Sequence, residues 1–503
     1  MALGIVLLTL GTLAAVGLRA GGFSPAAADW AAVRFTVVQA AVSSAVSVVL
    51  AVPVARALFR RRFPGRGGLI LLMGAPFLLP VMVAVIGLLA VFGRAGVFNQ
   101  ALAAVGLPPV SIFGLHGVIL AHVFLNLPLA VRMLLQGWQA IPAERFRLAT
   151  SLGFGPGAVF RHLEAPMLRA TAPGVAVVIF LVCLTSFAVV LTLGGGPRAT
   201  NVELAIYQAV RFEFDLGRAA GLAGVQFALC AASVALAGWV AIPTGFGAGL
   251  DRAADLPGPG GWRRMADAAA ILLAAGFLMV PLAAVVLRGL PGLADLPASI
   301  GWALLRSVAV ALGAAALSVT AALVLALAVA RGAAGRRLFE GAAMLPMAAS
   351  GLVLGTGLFL IVHPFVTVER LALPVTLLVN AVMALPFVFR LLLPQARAME
   401  ADYGRLAEAL DLRGPARLRW VVLPRLAAPL GFGAGIAAAL SMGDLGVVAL
   451  FAGERGVTLP LLVSRLTAAY RMEQAAGAAL VLMAASFTLF AILDRGGRRI
   501  AGA

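Results

Sequence analysis

Apolar runs long enough to cross a lipid bilayer occupy most of this chain of 503 residues. A transmembrane helix needs about 20 consecutive, mostly apolar residues. Twelve runs meet this requirement, near residues 2–19, 32–57, 68–93, 112–136, 172–194, 218–242, 268–290, 303–330, 340–363, 371–394, 427–451 and 473–493. The pattern predicts an all-α integral membrane protein with about twelve transmembrane helices. The alanines at 26–28 resemble a signal-peptide cleavage site, but the first run lacks a basic leading region, so we expect it to remain as a span.

Two polar segments between the apolar runs repeat one another at a spacing of 258 residues. We call them loop 1 (141–166) and loop 2 (399–424). Both contain an Arg-Leu-Ala-x-x-Leu core, formed by Arg147, Leu148, Ala149 and Leu152 in loop 1 and by Arg405, Leu406, Ala407 and Leu410 in loop 2. An arginine and a proline follow each core at the same spacing, Arg161 and Pro166 in loop 1 and Arg419 and Pro424 in loop 2. A polar segment that occurs twice in this form indicates a surface on which a partner docks.

The repeat extends into the apolar runs. Leu127-Pro128 matches Leu385-Pro386, Arg132 matches Arg390, and Val189-Val190 matches Val447-Val448. Because each half contains six predicted spans, an even number, the two six-helix repeats are parallel and are related by an axis along the membrane normal. We therefore predict a first half over 1–242, a Pro- and Gly-rich cytoplasmic linker over 243–267 and a second half over 268–503.

Composition agrees with a bilayer environment, since 62% of the residues are hydrophobic, 12% are charged and the mean hydropathy is +1.05. The formal net charge of +18 would suggest nucleic acid as the partner of a soluble protein. Here the basic residues lie in short segments between spans, where cytoplasmic retention explains them, so we expect no nucleic acid partner. All 38 basic residues are arginine. The absence of lysine from the sequence excludes a P-loop lysine and a Schiff-base lysine.

The distribution of arginine predicts the orientation of the chain. Arginines cluster after the second, fourth, sixth, eighth, tenth and twelfth spans, whereas the opposite segments contain few or balance them with acids such as Glu203, Glu213 and Asp215. Basic residues concentrate on the cytoplasmic side of a membrane protein. We therefore expect both termini in the cytoplasm, and we interpret 194–216 as a periplasmic polar segment that meets a binding partner.

Few side chains within the spans carry chemistry. Cys183 and Cys230 show no paired spacing and are predicted to pack, and none of the four histidines has metal-ligand spacing, so we predict no metal site and no catalytic residue. The tryptophans near span ends are expected at the membrane interface, namely Trp138, Trp239 and Trp420. Asp444 is the exception.

Asp444 lies inside an apolar run, where an ionisable residue is a functional hypothesis by default. Its repeat partner is Ser186, so both residues are candidates for the lining of a translocation path. The structural alternative is that Asp444 caps a helix broken at Gly443 or pairs with an arginine.

The repeated core has the features of a short helix with a defined end. Residues 143–152 are predicted to be helical, with small Ala149 and Ser151 beside Leu148 and Leu152. Gly153 then supplies a residue that adopts a positive φ where the helix ends. At the matched position Asp411 can also enter the left-handed region, at a greater cost than glycine.

The two loops resemble the cytoplasmic signature of the permeases of binding-protein-dependent ABC importers, which reads Glu-Ala-Ala, three residues, Gly, and later Ile-x-Leu-Pro. The signature glycine falls on Gly153 in loop 1 and on Asp411 in loop 2, and its proline falls on Pro166 and Pro424. Arginine replaces the signature glutamate in both cores, although Glu144 and Asp402 lie three residues upstream. The resemblance implies that the cores and these flanking residues couple the chain to a separate ATPase.

Further segments resemble the permeases of bacterial thiamine ABC transporters. They are 55–66 (ARALFRRRFPGR), 193–200 (LGGGPRAT) continuing through 203–209 (ELAIYQA), and 441–451 (SMGDLGVVALF). The likeness covers nearly the whole chain, span for span. It implies a fused permease in the bacterial inner membrane that imports thiamine and its phosphate esters. Fused ferric-iron permeases share the architecture and the loops and are the alternative, although the Gly-Gly-Gly-Pro and Gly-Asp segments favour thiamine.

The resemblance also implies the partners. A homodimer of ABC ATPase subunits would dock on the cytoplasmic face and hold ATP and Mg²⁺, a periplasmic binding protein would deliver the substrate, and the chain itself would need no cofactor. Two other classes fit less well. A secondary transporter coupled to protons or sodium gives no reason for two matching loops, and an integral membrane enzyme would need a catalytic cluster that the sequence does not contain.

Overall fold

The computed structural model describes residues 2–21, 23–74, 78–238, 261–333 and 335–502. Within these ranges the chain forms helices and connecting turns, and no strand is present. The helices are α1 (Ala2–Arg19), α2 (Ala27–Arg60), α3 (Arg66–Leu72), α4 (Val81–Phe92), α5 (Val97–Ala104), α6 (Leu115–Gln139), α7 (Ala143–Ser151), α8 (Pro156–Leu184), α9 (Phe187–Leu193), α10 (Val202–Gln208), α11 (Leu216–Ala237), α12 (Trp262–Gly292), α13 (Ile300–Ala330), α14 (Arg336–Met344), α15 (Gly351–Val362), α16 (Val368–Ala409), α17 (Gly414–Met442), α18 (Gly446–Phe451), α19 (Leu459–Ala468) and α20 (Met472–Gly502).

The number of membrane spans agrees with the hydrophobic pattern. Eleven helices of the described chain are long and apolar enough to cross a bilayer, and there are twelve when Arg336–Ala348 and Gly351–Val362, which meet at 94°, count as one bent span. The all-α prediction with about twelve spans is confirmed. We call residues 2–238 the N-half and residues 261–502 the C-half.

Four predicted spans are broken rather than continuous, and one of them is 68–93, in which α3 ends at Leu72 and α4 begins at Val81. The predicted span 172–194 is divided, since α8 ends at Leu184 and α9 begins at Phe187, and the predicted span 427–451 is divided between α17 and α18. The predicted span 340–363 contains the 94° bend before α15. Apolar composition does not reveal such breaks, because the residues on both sides remain hydrophobic.

Helices α8 and α17 share a local distortion. Each contains a five-residue π-turn, Phe160–Glu164 in α8 and Leu418–Val422 in α17, again 258 residues apart. A proline follows each turn by two residues, Pro166 and Pro424. Proline has no N–H to donate, and its ring clashes with the carbonyl four residues earlier, so a wider turn relieves the clash. The matching distortions show that the internal repeat persists at the level of backbone geometry.

The first helix of each half packs against the other half. Helix α1 packs on α15, where a Cβ on Gly357 would lie 2.5 Å from the Thr12 carbonyl oxygen. Correspondingly, α12 packs on α4, where a Cβ on Gly87 would lie 2.7 Å from the Pro281 carbonyl oxygen. Such close backbone approaches need glycine. The halves are therefore joined by a reciprocal exchange of helices.

The predicted linker 243–267 falls largely outside the described residues. Residues 243–260 are not described, and α12 already begins at Trp262, so the end of the predicted linker is helical. Next to this region Arg61, after α2, pairs with Asp267 in α12 at 2.7 Å. The division of the chain at 242 and 268 stays a prediction.

One interface residue was assigned wrongly from the sequence. Trp138, near the end of α6, has no exposed surface, because α2 and α8 both pack against α6 and cover it. Trp420 remains 67% exposed, so it is free to lie at an interface, and Trp239 lies outside the described residues. Sequence position near a span end does not by itself distinguish a core tryptophan from an interfacial one.

Candidate functional site

The two loop helices present the same face. In α7, Leu148 and Leu152 are 60% and 61% exposed, and at the end of α16 the matching Leu406 and Leu410 are 56% and 62% exposed. Residues four positions apart lie one above the other on a helix. Each loop therefore carries a pair of exposed leucines, and we call these four residues the leucine pairs.

The small residue of each core faces inward. Ala149 and Ala407 are each 1% exposed, so they fix the loop helices to the rest of the molecule while the leucine pairs face out. The remaining predicted coupling residues of these loops are exposed at the surface, namely Glu144, Arg147, Pro166, Asp402, Arg405 and Pro424. These six residues are therefore each accessible to a partner, and their role in coupling stays a prediction.

The loop helices end as their sequences predict. Gly153 and Asp411 have φ values of +68° and +49°. The N–H of Phe154 donates to the Ala149 carbonyl and that of Leu412 to the Ala407 carbonyl, both at 2.9 Å, which is the Schellman pattern for a helix C-terminus. Aspartate is among the few non-glycine residues that enter the left-handed region readily.

Buried or half-buried ion pairs tie both loops to the membrane helices. Glu164, in the π-turn of α8, is 1% exposed and lies 2.6 Å from Arg56 Nε and 2.5 Å from Arg60 at the end of α2. In the C-half, Glu400 on α16 lies 2.5 Å from Arg417 and 3.7 Å from Arg331 at the end of α13. In each half an acid therefore joins the loop region to the membrane helices, although the two acids do not occupy matched positions in the repeat. Sequence reasoning missed them, because the partners of Glu164 lie more than 100 positions away.

The two halves differ in how the loop helix begins. In the N-half α6 ends at Gln139 and α7 starts after Pro142, whereas in the C-half α16 runs without interruption from Val368 to Ala409. The residue that matches Pro142 is Glu400. Proline disfavours a helical conformation at the residue before it, so loop 1 is a separate helix and loop 2 is the rigid end of a membrane helix.

The break between α8 and α9 frees backbone carbonyls inside the apolar region. The carbonyls of Cys183, Leu184 and Ser186 accept hydrogen bonds at 2.7–3.0 Å from the side-chain amides of Gln39, Gln226 and Asn201. Irregular backbone at membrane depth is tolerated only where protein groups or a water-filled cavity satisfy it. Three amides from three other helices or turns therefore hold this break open.

The residues beside the two breaks have matching partners. His122 on α6 lies 2.7 Å from Ser186 Oγ and 3.2 Å from Ser43 Oγ. At the matched position on α16, Asn380 donates to Ser441 Oγ at 3.0 Å and also reaches Asp444. His122 is buried, and the absence of metal-ligand spacing in the sequence gave no indication of its role. Its match with a polar asparagine 258 residues later was the available signal.

Asp444 lies between α17 and α18, not within a continuous span. Its Oδ1 accepts from the Val447 N–H at 3.4 Å. The carboxylate therefore caps α18, as the structural alternative predicted. The buried Oδ2 atom is left without a hydrogen-bond partner in the described chain. The role of Asp444 and Ser186 in a path stays a prediction.

Both breaks lie where the N-half meets the C-half. A Cβ on Gly443 would lie 3.4 Å from Pro80 Cα, ahead of α4, and a Cβ on Gly446 would lie 3.5 Å from the Phe187 ring in α9. We call this contact surface, between α4, α9 and α10 of the N-half and α15 and α18 of the C-half, the seam. Discontinuous helices at such an interface are the usual setting of a substrate site in a transporter.

The segment 194–216 is not a polar loop throughout. Its first part, Gly194 to Ala199, lines a cleft of about 1030 Å³ together with Trp30, Arg34 and Phe113. The next part forms α10, whose residues are mostly buried, including Glu203. Glu203, which the sequence analysis counted among the acids of this segment, is therefore buried, because α10 folds back into the protein, and the periplasmic location of the segment stays a prediction.

Comparison with known proteins agrees with this architecture. Residues 318–495 match the family model described as binding-protein-dependent transport system inner membrane component. The chain is 40% identical to the thiamine transport system permease protein of Salmonella typhimurium over 93% of this chain and 89% of the relative. It is 39% identical to that of Brucella abortus over 96% and 92%, and 38% identical to that of Escherichia coli over 93% and 89%.

The chain belongs to the family of thiamine transport system permease proteins. The relatives cover both halves, so the family accounts for the fused, repeated architecture as well as for the C-half that matches the family model. A permease of this family is a multi-pass protein of the inner membrane.

Proposed function

We propose that this chain is the membrane-spanning subunit of an ATP-driven importer that moves thiamine and its phosphate esters into the cytoplasm. The observation that carries the proposal is the identity of about 40% along nearly the whole chain to thiamine permeases. The leucine pairs support the proposal that import is driven by ATP. A permease whose ATPase is a separate subunit needs a surface on which that ATPase docks.

Each leucine pair is the docking point for one subunit of a homodimeric ABC ATPase. Two exposed leucines one turn apart form an apolar ridge that fits a groove, a recurrent mode of helix recognition. The ATPase subunits hold ATP and Mg²⁺, and this chain contributes no catalytic group. With the leucine pairs on the cytoplasmic side, both termini are also cytoplasmic. A periplasmic binding protein docks on the other side of the membrane, near the cleft lined by Gly194 to Ala199.

Transport proceeds by alternating access. Closure of the ATPase dimer moves the two loop helices, and the ion pairs of Glu164 and Glu400 transmit the movement to α2 and α13. The halves then separate along the seam, past Ser186 and Asp444. Thiamine carries a permanent positive charge, so the free Oδ2 of Asp444 offsets part of the hydration that the cation loses.

The decisive experiment is uptake of labelled thiamine into proteoliposomes that contain this chain, its ATPase and its binding protein. ATP-dependent accumulation of thiamine is the expected result. Accumulation of ferric iron instead would keep the architecture and replace the substrate. Uptake that follows a proton or sodium gradient without ATP would contradict the proposal.

A pair of variants tests the docking points. Leu148→Asp with Leu406→Asp should abolish thiamine-stimulated ATP hydrolysis and uptake, because each buries a charge in an apolar contact. Leu148→Met with Leu406→Met should retain both activities, since methionine keeps the apolar volume. Equal activity of the aspartate and methionine variants would show that the loops do not bind the ATPase.

A further inference from the structure

Among the acids that are almost fully buried in the described chain, one carboxylate has no ionic partner. Three acidic residues are almost fully buried there, Asp29, Glu164 and Glu203. Asp29 pairs with Arg218 at 2.7 Å, and Glu164 pairs with two arginines. The side chains that bond Glu203 are the neutral Ser350 and Gln226, and its Oε1 has no hydrogen-bond partner. Burial of an unpaired carboxylate is costly, so it calls for a functional explanation.

Glu203 is held at the seam. It belongs to α10 in the N-half, whereas Ser350 caps the first turn of α15 in the C-half. The Ser350 hydroxyl accepts from the Val353 N–H at 3.1 Å, so its own proton is free to be donated to Glu203. Gln226 joins the same carboxylate to the Leu184 carbonyl, at the break after α8. Glu203 therefore touches both halves.

A short chain of contacts leads from Glu203 to Asp444. Gly351 follows Ser350, and a Cβ on Gly351 would lie 3.5 Å from a methyl group of Val447. The N–H of Val447 in turn donates to Asp444. The two carboxylates thus flank the N-terminus of α15 from opposite halves, and each keeps one oxygen without a partner.

We propose that Glu203 is a charge-selectivity residue of the translocation path, and this inference rests on the proposed import of thiamine. When the halves separate at the seam, the contact between Glu203 and Ser350 opens and the carboxylate faces the path opposite Asp444. A thiazolium cation then passes between two carboxylates, one from each half. The sequence conceals this arrangement, because the position in the C-half that matches Glu203 is apolar.

The test compares Glu203→Gln, Glu203→Asp and Ser350→Ala in the complete importer, in proteoliposomes. The readouts are thiamine transported per ATP hydrolysed and the ratio of thiamine to thiamine monophosphate uptake, since the phosphate ester carries compensating negative charge. Glu203→Gln should lower thiamine uptake about tenfold, the size expected for loss of one charge-assisted contact. Thiamine monophosphate uptake and ATP hydrolysis should fall much less. Glu203→Asp keeps the charge and should retain most thiamine uptake.

Ser350→Ala separates charge selectivity from a merely structural contact, because it removes the bond across the seam and leaves the carboxylate. Because Ser350 also caps α15, uptake is normalised to the amount of assembled importer, and near wild-type uptake on that basis is expected for Ser350→Ala. A loss in Ser350→Ala equal to that in Glu203→Gln, or an unchanged substrate ratio in Glu203→Gln, would overturn the inference while thiamine import by the wild type stands. If Glu203→Gln does not assemble, thiamine uptake by Glu203→Asp is compared with that of an assembled but inactive control. Uptake by Glu203→Asp that does not exceed the control would then overturn the inference. A wild-type importer that carries no thiamine would overturn both proposals.

Discussion

Glu164 is the residue on which loop 1 depends for its attachment to α2. It is almost fully buried and forms ion pairs with both Arg56 and Arg60. Glu164→Gln keeps the volume and leaves two arginines without their counter-ion. The expected loss is about 2 kcal/mol, below the usual range for a broken buried pair because Arg56 is partly exposed. A lower apparent melting temperature in detergent is the measurement, and Glu144→Gln, at an exposed position of the same loop, should leave it unchanged.

Asp444 offers a test of the path that leaves the fold intact. Asp444→Asn keeps the oxygen that accepts from Val447 and removes the charge. Thiamine uptake should fall about tenfold while membrane abundance stays constant, since one charge contact to the cation is lost. Asp295→Asn, an exposed acid in the turn before α13, serves as the control. Unchanged uptake in Asp444→Asn would leave this residue with its capping role alone.

His122 can be tested against its own counterpart in the C-half. Asn380 occupies the matched position and donates a hydrogen bond to Ser441 beside the matched break. An asparagine side chain can therefore form the corresponding contact. His122→Asn should therefore preserve most uptake, whereas His122→Ala leaves Ser43 and Ser186 without their shared partner and costs about 1–3 kcal/mol of stability. Thermal stability and thiamine uptake are measured in parallel. Equal behaviour of the two variants would exclude a hydrogen-bonding role.

At the scale of residues, the sequence predicts what depends on near neighbours and misses what depends on distant ones. The positive φ of Gly153 and Asp411 follows from a helix that must end there. The partners of His122 and Glu203 come from helices far along the chain. The sequence does not distinguish an acid in an exposed loop from an acid on a helix that packs back into the protein.

At the scale of helices, the residue that ends the loop helix of loop 2 can be tested in loop 1. Gly153→Asp places in loop 1 the residue that loop 2 tolerates at φ +49°. It should cost less than about 1 kcal/mol, whereas Gly153→Val, with a β-branched side chain, should cost about 2 kcal/mol or more. Thermal unfolding in detergent measures both. A valine variant as stable as the aspartate variant would show that the backbone at this cap relaxes.

Helix lengths and helix breaks differ in how far the sequence determines them. Hydrophobic runs predicted the spans, because crossing a bilayer requires a minimum apolar length. The breaks at Thr185–Ser186 and at Gly443–Leu445 depend on amide side chains and glycine contacts contributed by other helices. Hydropathy does not report such contacts, so the broken spans were predicted as continuous ones.

At the scale of the whole molecule, the exchanged helices make the two halves inseparable. A protease site inserted in the segment 243–260 should allow the chain to be cut there without dissociation, because α1 and α12 each remain packed on the opposite half. The cut protein should elute as one species in size-exclusion chromatography and retain thiamine uptake. As a control, the same cut in a variant that lacks residues 2–24 should weaken the association. Separation of the full-length halves on cutting would contradict the exchange.

Because of this exchange, α1 is synthesised well before α15, the helix on which it packs. Until then α1 stands in lipid with two hydroxyl groups on its docking face. Thr9 donates to the Ile5 carbonyl and Thr12 to the Thr9 carbonyl, both within α1 itself. The nascent helix therefore satisfies its own polar groups while it awaits its partner, and no helper is required to shield them.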